Sequence, residues 1–172
     1  DCRSEYKDGC DALYSLVKRR FDDAGFNRFF GNSGEAENPL ARRILDHCGG
    51  HFRDLLYMLR EALLRAKSLP VAPEVVETAI TEMRSHFLPI AIEDARWLHQ
   101  IGEQRSAALP SSKPEDVNRL TKFLDTHFVL YFKNGEEWYD IHPLIREEVA
   151  EIVRHQNQTL NPAISAPTSV TT

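Results

Sequence analysis

HCGGHFRDLL, residues 47–56, gathers two histidines, a cysteine, a glycine pair, an arginine and an aspartate just ahead of a leucine run. His47, Cys48 and His51 offer imidazole and thiolate donors. Flanking a glycine pair, however, they match no common ligand spacing, so a buried cysteine beside surface histidines is expected rather than a metal. Gly49 and Gly50 let the chain reverse sharply. The helix that follows then presents unbonded N–H groups and a positive dipole end, which attract phosphate. Arg53, in the first turn and about 100° around the helix from Phe52, would flank the buried stripe and extend that cationic surface. The alternative is that Arg53 pairs with Asp54, Tyr57 or a surface carboxylate, and that the glycines only end the preceding helix. His142 stands before Pro143 with no serine or cysteine that the sequence places beside it. It is expected as a turn residue, and no catalytic residue is expected in the chain.

The elements that must position these groups follow from periodicity. Leu13, Leu16, Val17 and Phe21 recur at helical spacing and predict a first helix over 11–21, closed by Lys18, Arg19 and Arg20. Gly25, Gly31 and Gly34 break up the next stretch, where Phe26, Phe29 and Phe30 form an apolar knot in a short helix and loop. Asn38-Pro39 is an N-cap followed by proline at the first helical position, with Leu40, Ile44 and Leu45 on one face. After the glycine pair, Phe52, Leu55, Leu56, Leu59, Ala62, Leu63 and Ala66 predict a long amphipathic helix. Pro73 opens another, with Val75, Val76, Ala79, Ile80 and Met83 inward. A helix is expected over 90–108, then a Pro- and Ser-containing connection, then a helix opened by Pro114. The period then changes: Asn134-Gly135, between aromatic and β-branched residues, predicts a type I′ hairpin with strands near 127–132 and 137–141. Pro143 starts a last helix reaching about residue 154, and residues 156–172 read as a disordered tail.

Composition bounds the remaining possibilities. The chain has 172 residues, 42% of them hydrophobic and 27% charged, enough for one ordinary domain or two small ones. No run approaches the roughly 18 apolar residues of a membrane span, and the N-terminus lacks a signal-peptide layout. Cys2, Cys10 and Cys48 include no C-x-x-C pair and make an odd number, so a reducing cytoplasm is expected. A net charge of −5 argues against a broad nucleic-acid footprint. The first residue is Asp1, not methionine, so the chain is expected to begin inside a longer polypeptide.

Three stretches carry a resemblance: LYSLVKRRF (13–21), HCGGHFRDLLYMLREALLRAK (47–67) and LPVAPEVVETAI (69–80). Together they resemble the helical lid of AAA+ ATPases, in particular the origin-recognition and signal-transducing (STAND-like) branches. The G-G-x-x-R-x-L-L pattern is the most specific part. A helix, a hairpin and YDIHPLIREEV further on resemble, more loosely, the winged-helix domain that often follows such a lid. The implied fold is mainly α, a helical lid-type bundle followed by a winged-helix domain with one β-hairpin. The implied boundaries are a lid-like domain over 1–88, a connecting helix and linker over 89–112, a winged-helix-like domain over 113–155 and the tail.

In that family the arginine matching Arg53 senses a nucleotide's γ-phosphate, with Gly49 and Gly50 shaping the turn before it. Arg19 and Arg20 would be weaker candidates for nucleotide or inter-subunit contact. ATP or ADP would be held only through an upstream nucleotide-binding domain, because no G-x-x-x-x-G-K-[ST] loop occurs here, and the fragment itself is not expected to be an enzyme. A protein partner or self-association is expected, with Lys133, Asn134, Trp138 and Tyr139 on the hairpin as candidate contacts, although Tyr131, Trp138 and Tyr139 are first expected as core. DNA is disfavoured, since the wing tip carries Glu136 and Glu137 against Lys133, and Glu115, Asp116 and Asp125 offset Lys113, Arg119 and Lys122. No membrane contact is expected. The rivals are a free-standing winged-helix DNA-binding regulator and a nucleotide-independent protein adaptor.

Overall fold

In a computed structural model of the chain, which describes residues 7–34, 37–134 and 136–160, prolines set three of the helix starts. Pro39, Pro73 and Pro114 each occupy a first helical position, where the missing N–H costs no intrahelical bond. The elements run α1 (Lys7–Phe30), α2 (Pro39–His47), α3 (Phe52–Arg65), α4 (Pro73–Ser85), α5 (Ile92–Gln104), α6 (Pro114–Asp125), β1 (Val129–Asn134), β2 (Glu136–Ile141), a 3-10 turn (Pro143–Ile145) and α7 (Arg146–Leu160). The fold is therefore mainly helical with one two-stranded antiparallel sheet among the described residues. None of the helices is long and apolar enough to cross a membrane among those residues.

Two compact units make up the chain, residues 1–88 with 142–144 and residues 89–141 with 145–172. In the first unit, α1 breaks at Asp22 (φ 59°, ψ 168°), whose carboxylate accepts the Gly25 N–H at 2.7 Å and so caps the second half of the helix. The break falls at the predicted end of the first helix, residue 21, and the segment beyond it is the short helix expected there. Across the break, Phe21, Phe26, Phe29 and Phe30 pack on one another, with Phe29 edge-on to Phe30 at 4.7 Å between ring centroids. Buried Asn38 ties this cluster to α2. Its Oδ1 accepts the N–H groups of Leu40 and Ala41 at 3.0 and 3.3 Å, and its Nδ2 donates to the carbonyls of Gly31 and Phe30 at 3.0 and 3.3 Å. Its own N–H donates to the Tyr14 hydroxyl at 2.7 Å.

In the second unit, Trp97 of α5 meets Phe123 of α6 edge-on at 5.5 Å. The Arg119 guanidinium lies over both rings, at 5.4 and 5.8 Å from their centroids, and is ion-paired with Asp94. The strands pair from Val129 with Ile141 to Asn134 with Glu136. The expected I′ turn rests on Gly135, which lies outside the described residues. Buried Asp140 accepts the Ile141 N–H at 2.8 Å and the Arg146 guanidinium at 2.7 Å, joining β2 to the start of α7.

Several boundaries differ from the sequence expectation. α5 is shorter than residues 90–108, because Arg105 takes a left-handed conformation (φ 52°) and its carbonyl accepts the Tyr139 N–H of β2 at 3.0 Å. Pro143 opens a 3-10 turn rather than the last helix, and α7 continues to Leu160. Residues 156–160 are therefore helical rather than part of a disordered tail, while residues 161–172 lie outside the described residues. On α3 the inward stripe is Asp54, Leu55, Met58, Leu59 and Ala62, whereas Phe52 and Leu63 are 43% and 47% exposed.

Asn38 gives a direct test of this packing. Asn38→Ala removes a cap and takes the donor from one buried and one part-buried carbonyl, so chemical denaturation should register a loss of about 2–3 kcal/mol. Asn38→Asp keeps the acceptor side of the cap and should lose less.

Candidate functional site

The approach to α3 is a turn that only unusual backbone angles permit. Gly49 and Gly50 both sit at positive φ, 59° and 79°, where an L side chain is strained. At Gly50 a Cβ would meet nothing within 4 Å, so it is backbone conformation that calls for glycine there. His51 then returns to extended geometry as the N-cap, with its N–H on the Cys48 carbonyl at 2.8 Å and its own carbonyl accepting the Leu55 N–H at 3.1 Å. The first turn of α3 begins directly after it.

Within that turn, successive side chains part company. Asp54 is 5% exposed, and its two oxygens face two histidines: Oδ1 lies 3.0 Å from His51 Nδ1, and Oδ2 lies 3.3 Å from His142 Nε2. His142 is fully buried, and its Nδ1 accepts the Leu144 N–H at 3.2 Å. A neutral His142 ring therefore carries its proton on Nε2, toward the carboxylate. The Phe87 ring tilts against it at 4.9 Å. Burial alone would raise the Asp54 pKa; contacts with His142 and then His51 outweigh it and hold the carboxyl below its ordinary 3.8.

Arg53 points the other way. It is exposed, and among the described residues its side chain has no hydrogen bond or ion pair. The sequence alternatives that would have engaged it are otherwise occupied: Asp54 faces the histidines, and the Tyr57 hydroxyl lies 3.4 Å from His86 Nε2. The site thus combines free first-turn N–H groups, the dipole end and one unneutralised guanidinium, a set suited to an anion.

The remaining candidates are not brought together with Arg53. Arg19 and Arg20 are exposed in the turn of α1 that ends at the break. His47, Cys48 and His51 aim at separate partners: His47 Nδ1 lies 2.8 Å from the Arg43 carbonyl, and the buried Cys48 thiol donates to the Leu45 carbonyl at 3.2 Å. Burial pushes that thiol up to about 11, which disfavours the thiolate a metal would need. On the hairpin, Lys133 pairs with Glu137 at 2.9 Å, and nothing is described of the Asn134 side chain. Half-buried Trp138 stacks on Phe132 at 4.3 Å beneath the Arg105 guanidinium, and half-buried Tyr139 tilts against Tyr131, itself 45% exposed. Tyr131 is therefore not the core residue first expected.

The Asp54–His142 contact was missed by sequence reasoning. The available signal was Asp54 standing four and eight residues before Met58 and Ala62, hence on one helical face with them. Its energetic role is testable by pH. A carboxyl whose pKa is lowered by folding contributes stability above its unfolded value and loses it as pH falls through the folded value. Asp54→Asn should cost about 3 kcal/mol near neutrality, and the gap to the parent chain should narrow as urea melts are taken below about pH 4. A gap unchanged into acid would mean that the Asp54 charge contributes nothing.

No family model matches the chain, and neither a curated protein nor a solved structure is found that matches it.

Proposed function

We propose that the chain is the lid and winged-helix portion of a nucleotide-dependent switch protein. Its first unit closes over ATP or ADP bound by an upstream domain, and the second passes that state to a protein partner or another subunit. One observation carries this reading: Arg53 stands exposed and without an ion partner among the described residues, in the first turn of a helix entered through two left-handed glycines. A γ-phosphate offers such an arginine a contact that is present with ATP and absent with ADP, so the open and closed populations shift with the nucleotide state. Hydrolysis is assigned to the upstream domain, and none of the residues here to a chemical step. A reducing cytoplasmic setting suits the buried Cys48 thiol.

The same reading assigns the second unit to a protein rather than to DNA. Of the three basic residues at or on α6, Arg119 is held by Asp94 and two aromatic rings, and Lys133 at the hairpin tip is neutralised by Glu137. That leaves Lys113 and Lys122 to meet phosphates, too few to dominate the acids around them.

Replacing Arg53 in the intact polypeptide tests the assignment. Arg53→Ala should reduce the preference for ATP over ADP by about 10- to 100-fold, the worth of one charge-assisted contact, measured by nucleotide titration with closure followed by fluorescence. Unchanged affinity, turnover and closure would sink the phosphate-sensing role.

A further inference from the structure

Two surfaces that the switch reading leaves unused fit each other. On α3, one arc of about 120° on the exposed side, at about 100° per residue, holds Phe52, Arg53, Leu56, Arg60, Leu63 and Leu64. Four are apolar, two are arginines, and none is acidic. Phe52, Leu63 and Leu64 are 43%, 47% and 67% exposed, an apolar stripe rimmed by cations. Arg60 is itself 66% exposed and, among the described residues, is ion-paired only with its chain neighbour Glu61 at 3.4 Å.

The second surface has the opposite character. An open groove of about 520 Å³ runs between the start of α5 and the outer face of α7, lined by Ile92 and Ile152 at its base and by Glu148, Glu151 and His155 along α7. His155 lies 3.7 Å from Glu151 at their exposed ends, and none of the lining residues carries a permanent positive charge. It is an apolar floor with an acidic rim.

We infer that the occupant of this groove is the α3 face of a second copy of the chain. Leu63 and Leu64 would seat over Ile92 and Ile152, with Arg60 against Glu148 and Glu151. The match is one of charge and of apolar surface together: cations rim the one, carboxylates rim the other, and neither is covered by the described residues. Because the two patches differ, the contact is head-to-tail, and each added copy exposes a fresh α3 face at one end and a fresh groove at the other. The assembly therefore grows with concentration or closes into a ring. The inference is independent of phosphate sensing, since it uses Arg60 and the C-terminal half of α3 and leaves Arg53 unassigned.

Charge swaps test it on the 172-residue chain by sedimentation velocity over a range of concentrations. The parent chain should self-associate, more weakly at high salt. Arg60→Glu and Glu151→Arg should each weaken association at least about tenfold. Mixing those two variants should restore assembly as alternating copies, because the native α3 face of one meets the native groove of the other and the swapped face meets the swapped groove. The double variant carrying both swaps should recover assembly, and Leu64→Ser should weaken it without a charge change. Far-UV circular dichroism confirms that these surface variants are folded. A chain that stays monomeric at several hundred micromolar, or association indifferent to both swaps, overturns the inference.

Discussion

A carboxylate removed from water must be matched by partners or lose its charge, and Asp54 imposes that demand on the start of α3. Burying an unmatched ion costs several kcal/mol, so the two histidines that face Asp54 are conditions of its burial, not decoration upon it. His51 can reach Oδ1 only from the N-cap position, which in turn requires the chain to arrive through the left-handed glycines. His142 can present Nε2 only while Leu144 donates to Nδ1, which fixes the 142–144 segment as part of the first unit. The exposure of Arg53 follows from the same constraint. Adjacent helical residues lie about 100° apart, so turning Asp54 inward turns Arg53 and Phe52 outward. The feature that carries the functional proposal is in this sense a by-product of a buried ion.

Arg119 plays a comparable part in the second unit, with the charge reversed. Its guanidinium covers Trp97 and Phe123 while its charge is answered by Asp94, so α5 and α6 are held by a cation that packs as much as it pairs. A residue used this way is not available to a ligand. Counting basic residues along α6 therefore overstates what the helix can offer to phosphates.

Much of the helical layout was legible because it depends on local chemistry. Proline at a first helical position is both a start signal and its physical cause, so Pro39, Pro73 and Pro114 located their helices without tertiary information. The change from helical to alternating period located the hairpin in the same way. What could not be read was which of two overlapping stripes on α3 would face inward. Phe52, Leu56 and Leu63 make one stripe, and Asp54, Met58 and Ala62 interleave with another. The apolar pattern placed Leu55, Leu59 and Ala62 inward correctly, but not the outward turn of Phe52 and Leu63 or the burial of Asp54, whose partner His142 lies 88 positions away in the chain. The break in α1 was legible as the end of a helix at residue 21, and one Asx-type bond from Asp22 to Gly25 lets a second helix start at once across the glycine.

The outer side of α3 gains a particular freedom from this arrangement. Because Asp54, Leu55, Met58, Leu59 and Ala62 anchor the inner side, the outer residues can be chosen for contact without weakening the fold. Along the helix, Arg53 and Leu63 are ten residues apart, a separation of about 15 Å. An anion bound in the first turn and a protein surface seated over the last turns can therefore occupy the same helix together. Any coupling between the two events would run through the rigid body of α3, whose register is fixed by the Asp54 contact, and not through competition for one site.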